Sequence, residues 1–128
     1  MTKADAARRT LACIRIFNGA VGLFAAGRMA ESLGGPLGED KRFVYPARMF
    51  GIRTLLLGLD LLTLRPDDAS ARRVSRQAVL IHATDTAAAL YAGARGELPP
   101  RAAKVTVTIS AVNTVLAVVA LVAGKRRD

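Results

Sequence analysis

"GIRTLLLGLDLL", residues 51–62, carries one cation and one anion, Arg53 and Asp60, in a run otherwise built of Gly, Leu, Ile and Thr. Nothing in or beside it reads as a loop. At about 100° per residue two positions seven apart share a helix face, yet they stand about 10 Å apart along the axis. Arg53 and Asp60 therefore cannot bond each other, and each needs a partner on a neighbouring element.

The rest of the chain has the same construction. Its 128 residues are 52% hydrophobic and 23% charged, and the charges crowd into segments 2–9, 39–42, 65–76, 95–104 and 125–128. Between these lie four apolar stretches, each near the ~20 residues that cross a ~30 Å hydrocarbon core. The pattern predicts one all-α domain, a four-transmembrane-helix bundle with short loops and spans at about 11–30, 46–64, 76–94 and 103–124. Linker 31–45 contains "GGPLGEDKRF", whose glycines and Pro36 break a helix. Pro46 suits the first turn of the second span. In "RPDDASARR" Asp67, Asp68 and Ser70 are candidate caps for the third. "RGELPPR" closes the third span, since Pro99 and Pro100 cannot continue it. "VTVTI", which opens the fourth, is β-branched enough for a strand. An isolated strand in lipid would leave its backbone unpaired, so a helix is expected. Arg28, at the end of the first span, can snorkel to the interface.

Lys and Arg set the orientation. Ten of them (Lys3, Arg8, Arg9, Arg65, Arg72, Arg73, Arg76, Lys125, Arg126 and Arg127) fall on one side; Lys41, Arg42, Arg95 and Arg101 fall on the other, with Lys104 at a helix end. The richer side is expected in the cytoplasm, with both termini, which places the chain in the inner membrane as a multi-pass protein. The net charge of +9 is thereby read as membrane anchoring; with no Trp and 5% aromatics there is no stacking platform for nucleic acid. The single cysteine, Cys13, excludes an intrachain disulfide. Arg15 and Asn18 interrupt the first hydrophobic region, so it reads as an uncleaved span and not a signal peptide.

Polar groups inside spans are costly and usually face the bundle interior. The candidates are Arg15, Asn18, Arg53, Asp60, His82, Asp85 and Asn113. Spans one and three run outward, two and four inward. Depth then groups them in two layers: Arg15 with Asp60 and His82 toward the cytoplasm, Arg53 with Asp85, Asn18 and Asn113 near the middle. His82 and Asp85, three apart, can be neighbours on one face. Such layers either hold helix register or form a proton, ion or polar-ligand site. One histidine without a cysteine or carboxylate cluster does not make a metal or haem site, and no serine or cysteine is spaced to serve His82 as a nucleophile. Small residues form stripes at Gly22 and Ala26, Gly51 and Gly58, Ala83 and Ala87, and Ala89 and Gly93, which let helices approach closely.

"ARMFGIRTLLLGLDLL", "RQAVLIHATDTAAALYAG" and "NTVLAVVAL" together resemble small bacterial four-helix membrane proteins of the DoxX-like kind, closest to members known only as domains of unknown function. The resemblance rests on Gly51 and Arg53 near the start of span two, Gly58-Leu59 before its end, and Asp85 in span three, over roughly two thirds of the chain. It implies the four-helix fold, and for the named DoxX proteins a role as oxidoreductase subunits in quinone-linked sulfur oxidation. The chain has no redox motif of its own. The function expected is an accessory or interaction subunit of a membrane complex, more a non-enzyme than an enzyme, with the lipid bilayer and a membrane protein or a second copy as partners. It needs no cofactor. The alternatives are a quinone-linked subunit and a proton-linked carrier. Reporter fusions at Asp128 and Gly96 should report opposite sides of the membrane, Asp128 in the cytoplasm; an exported Asp128 would overturn the orientation.

Overall fold

The computed structural model describes residues 1–33, 41–65 and 68–125, and among these the chain is all-α. Five α-helices follow in order: α1 Lys3–Phe24, α2 Ala26–Leu33, α3 Val44–Thr63, α4 Ala69–Ala94 and α5 Pro100–Lys125; a 3-10 turn, Lys41–Phe43, leads into α3. The helix-breaking Gly34–Pro36 stretch, Asp67 as a cap, and Arg126 and Arg127 lie outside the described residues.

The helix ends have local causes. Thr2 and Asp5 form a capping box: the Asp5 N–H donates to Thr2 Oγ1 at 3.2 Å and the Thr2 N–H to Asp5 Oδ2 at 3.2 Å. This starts α1 at Lys3, two turns before the expected start of span one. α4 also starts early, at Ala69, with Asp68 as its N-cap residue and the Asp68 carbonyl accepting from the Ala71 N–H at 3.0 Å. It stops at Gly96, whose φ of 70° suits a left-handed cap. There the Glu97 N–H reaches Ala92 O at 2.9 Å and the Gly96 N–H reaches Gly93 O at 3.2 Å, the paired bonds of a Schellman stop. Pro100 opens α5, and "VTVTI" is helical.

The first expected span is not one straight helix. At Ala25 (φ −130°, ψ 34°) the chain leaves helical geometry, and α2 turns 103° from α1. Polarity accounts for this: α2 buries Ala26 and Ala30 and exposes Gly27, Arg28, Glu31 and Ser32. It is an amphipathic helix with one small apolar face, suited to lying across the ends of α3 and α5, both of which it touches.

Helices α1, α3, α4 and α5 form a ring in chain order. α1 packs most closely on α3, and α4 on α5. α1 joins α5, while α3 and α4 meet sparsely. The α1–α3 contact is backbone on backbone. A methyl built on Gly51 would lie 2.7 Å from the Gly22 carbonyl carbon, and one on Gly19 2.8 Å from Gly51 O. Gly58 meets Ala12 and Ile16 in the same way. Of the small stripes, Gly22 and Ala26, Gly51 and Gly58, and Ala89 face inward with Gly93 half-buried, but Ala83 and Ala87 are on the outer face.

The distribution of side chains is inverted relative to a water-soluble bundle. The interior is mostly Ala and Gly with Arg8, Arg15, Thr54, Ser75, His82, Ser110 and Asn113, and the large apolar side chains buried with them among the described residues are Leu11 and Leu61. Phe17, Phe24, Leu56, Leu80, Tyr91 and Val115 are all more than half exposed. Hydroxyls turn back on their own helices: Thr63, Thr86, Thr108 and Thr114 each donate to the carbonyl four residues earlier. By length and composition, segment Pro100–Gly124, whose most apolar 18 residues have mean hydropathy 2.2, can cross a membrane; α1 and α2 do so only when taken together across their bend.

Gly51→Val should force α1 and α3 apart, because the added atoms meet backbone that cannot rotate away. A loss of about 1–3 kcal/mol or more is expected in thermal or denaturant unfolding of the purified protein. Gly27→Ala, with nothing within 4 Å of the added methyl, should hold or raise stability.

Candidate functional site: a buried polar cluster

An apolar layer formed by Leu11, Ala12, Leu61, Ala78 and Ala117 crosses the bundle. Residues four apart lie one above another on a helix face. One turn beyond that layer, in the same direction, α1 places Arg15 over Leu11 and α4 places His82 over Ala78. α5, running the other way, places Asn113 over Ala117. Three helices therefore bring Arg15, His82 and Asn113 to one level, 2%, 5% and 4% exposed.

Electrostatics agree with this placement. The Arg15 guanidinium acts on both Asp85 and His82. His82 Nδ1 stands 3.9 Å from Asp85 Oδ2, close enough for an ion pair when the ring is protonated but too long for a hydrogen bond. The Asp85 side chain is 43% exposed, so its carboxylate opens from the cluster toward the outside of the bundle. Thr86 donates to His82 O at 2.7 Å and stands 3.4 Å from Thr114 Oγ1, tying α4 to α5 beside Asn113.

The centre of the cluster is under-satisfied. Arg15 Nε and Nη1, His82 Nε2 and Asn113 Oδ1 are all buried without a hydrogen-bond partner in the protein. Leaving such groups unmade costs about 1–3 kcal/mol each, more for charged ones. The set offers two cationic N–H donors, an imidazole nitrogen and an amide, with a carboxylate at its edge. That chemistry can hold a small polar molecule or pass a proton. No group of three or more His, Cys, Asp or Glu side chains among the described residues is placed to hold a metal ion.

The other expected members lie elsewhere. Asn18 is half-buried, but Arg53 and Asp60 are exposed on the outer face of α3. The α1 contact explains this correction. Arg53 follows Gly51 by two residues and Asp60 follows Gly58 by two, and a two-residue step turns the helix by about 200°. Glycines that touch α1 thus turn both charges away from the core. The two-layer arrangement, with Arg53 opposite Asp85 and Asp60 opposite Arg15, is replaced by one cluster in which Asp85 is near Arg15.

Sequence reasoning missed Arg8. It is 8% exposed, and its Nη1 donates to Leu61 O and, at 3.0 Å, to Leu64 O. A cation on the last carbonyls of α3 completes that helix end and favours its dipole. The signal was available, because Arg8 precedes Arg15 by seven residues and so shares its face.

Arg15→Met and Asp85→Asn should couple in a double-mutant cycle by about 0.5–3 kcal/mol, since the charges act on one another. Arg53→Met paired with Asp85→Asn should add within ~0.3–0.5 kcal/mol, as distant sites do. The readout is unfolding of the purified protein, and additivity in the first cycle would separate Arg15 from Asp85. Comparison with protein-family models, with curated proteins and with solved structures finds no match, so the chemistry of these residues alone bears on function.

Proposed function

We propose that the chain is a four-span inner-membrane protein with both termini in the cytoplasm, and that it acts as an accessory subunit docking another membrane protein through the outer face of α3. The inverted side-chain distribution supports the membrane setting: large apolar residues outside and small or polar ones inside suit a lipid solvent. Thr hydroxyls bonded to their own helices support it too. Helix α3 carries too many charges to pass as a span by composition. In this reading its inward glycines are held by α1 and its outward charges by a partner.

The observation that carries the docking role is Arg53 and Asp60, exposed on a face shared with Met49 and Leu56. Charges facing hydrocarbon are costly and are normally covered by protein or reach water. Their opposite signs, about 10 Å apart, define a complement: a transmembrane helix with an acid level with Arg53 and a base level with Asp60. A second copy in the same orientation would set Arg53 against Arg53 and Asp60 against Asp60, so this face suits a different protein.

The unpartnered atoms of the inner cluster favour a second reading, in which Arg15, His82 and Asn113 hold a polar ligand or carry a proton. Co-purified quinone, or proton uptake into proteoliposomes, would favour the quinone-linked or carrier form of that reading.

A photo-crosslinker at position 56, between the two charges, should capture one membrane protein, whereas one at position 109 on α5 should not. Arg53→Asp should abolish capture, and reversing an acidic residue in the captured helix should restore it. Arg53→Leu with Asp60→Leu should leave the chain folded and membrane-bound but without its partner. Unchanged capture in these variants would overturn the docking role.

A further inference from the structure

Helix α4 extends below the apolar layer by its first two turns. There a groove of about 470 Å³ is lined by Ala69, Arg72, Arg73, Arg76 and Gln77. The three arginines are exposed and lie on one side of the helix, and all three line this groove. Continuing upward, the face of Arg73 and Arg76 becomes apolar through Leu80, Ala83, Ala87 and Tyr91, all exposed. From Arg73 to Tyr91 the rise is about 27 Å at 1.5 Å per residue, close to the thickness of a hydrocarbon core. Leu80 is 69% and Tyr91 61% exposed, and with the exposed Ala83 and Ala87 between them they form an apolar strip along the helix.

We propose that this groove binds the headgroup of an anionic phospholipid from the cytoplasmic leaflet, with an acyl chain lying along Leu80, Ala83 and Ala87. The proposal rests on the membrane reading above. Guanidinium forks match phosphate oxygens geometrically and stay charged at any physiological pH. The orientation set by Lys and Arg puts this end of α4 in the leaflet where anionic lipid attracts basic residues. The exposed apolar strip above the arginines distinguishes a lipid from a soluble phosphate, which would use only the cationic end. It also explains why Ala83 and Ala87, small residues at helix-packing spacing, have no helix against them.

The test uses the full chain in mild detergent, with phosphatidylglycerol and phosphatidylcholine titrated and followed by native mass spectrometry. Wild type should prefer phosphatidylglycerol. Arg73→Gln with Arg76→Gln should weaken that binding roughly thirty-fold, about five-fold for each cation lost, and leave phosphatidylcholine unaffected. Both side chains are exposed, so helix content by circular dichroism should not change. Arg101→Gln with Lys104→Gln, at the opposite end, should stay within two-fold (roughly) of wild type, as remote surface charges do. Equal binding of the two lipids, or full affinity in the Arg73/Arg76 variant, would overturn the proposal. Displacement by inorganic phosphate at concentrations comparable to the lipid would also overturn it, marking the site as one for a free anion. Alkaline carbonate extraction separates this failure from that of the membrane reading. A chain released to the supernatant sinks the membrane reading itself; a chain kept in the pellet without lipid preference sinks only the lipid site.

Discussion

The structure depends on the backbone contact between α1 and α3. Where Gly19 and Gly22 meet Gly51, no side chain stands between the two helices. That contact fixes the rotation of α3, and the rotation decides which residues are inside. Thr54 and Leu61 turn inward with Ala47, Gly51 and Gly58, and Arg53 and Asp60 turn outward. One steric constraint thus produces both the tight half of the bundle and the charged outer face. Close backbone approach of this kind suits lipid, where helices gain little from hiding apolar surface and must associate through contact itself.

The second half of the bundle works differently. α4 and α5 join through Thr86 and Thr114, and Ala103 fills the space at Gly93. The two halves meet through α1 and α5, and the polar cluster sits at this junction. Its residues come from both halves: Arg15 from one, His82, Asp85 and Asn113 from the other. A register shift between the halves would take Arg15 away from Asp85, so the cluster penalises misalignment whatever else it does. The unpartnered Arg15, His82 and Asn113 atoms make this a costlier filling than an apolar one would be.

Much of the architecture was legible in the sequence, and the failures share a cause. Helices at the second, third and fourth apolar stretches follow from length and from breakers such as Pro99 and Pro100, and the "VTVTI" run is helical despite its β-branched residues. Arg15, His82 and Asn113 could be named as buried because a polar group in an apolar stretch must go somewhere. Facing could not be settled the same way. Charge argued that Arg53 and Asp60 point inward; Gly51 and Gly58, two residues before each, argued the reverse. The two signals conflict by about 160°, and contact geometry prevailed because a backbone clash cannot relax, whereas a charge can find a partner outside. The bend at Ala25 was hidden because "GLFAAGRMA" has neither proline nor a strong turn signal. Thr2 and Asp5 spell the cap that starts α1, but the turns after it are polar, so hydropathy alone places the start too late.

The ring closes between the first long helix and the last, and this bears on how the molecule is made. Helices α1 and α3 can pair as soon as both have left the ribosome, because their contact needs nothing downstream. Arg15 is then in place while Asp85 and Asn113 have still to be synthesised. Arg15 enters the chain 70 positions before the carboxylate of its cluster, Asp85. A chain truncated before α5 would keep the tightest helix pair in the molecule but lose Asn113 and the helix that joins the two halves, so completion of the cluster around Arg15 falls to the last helix.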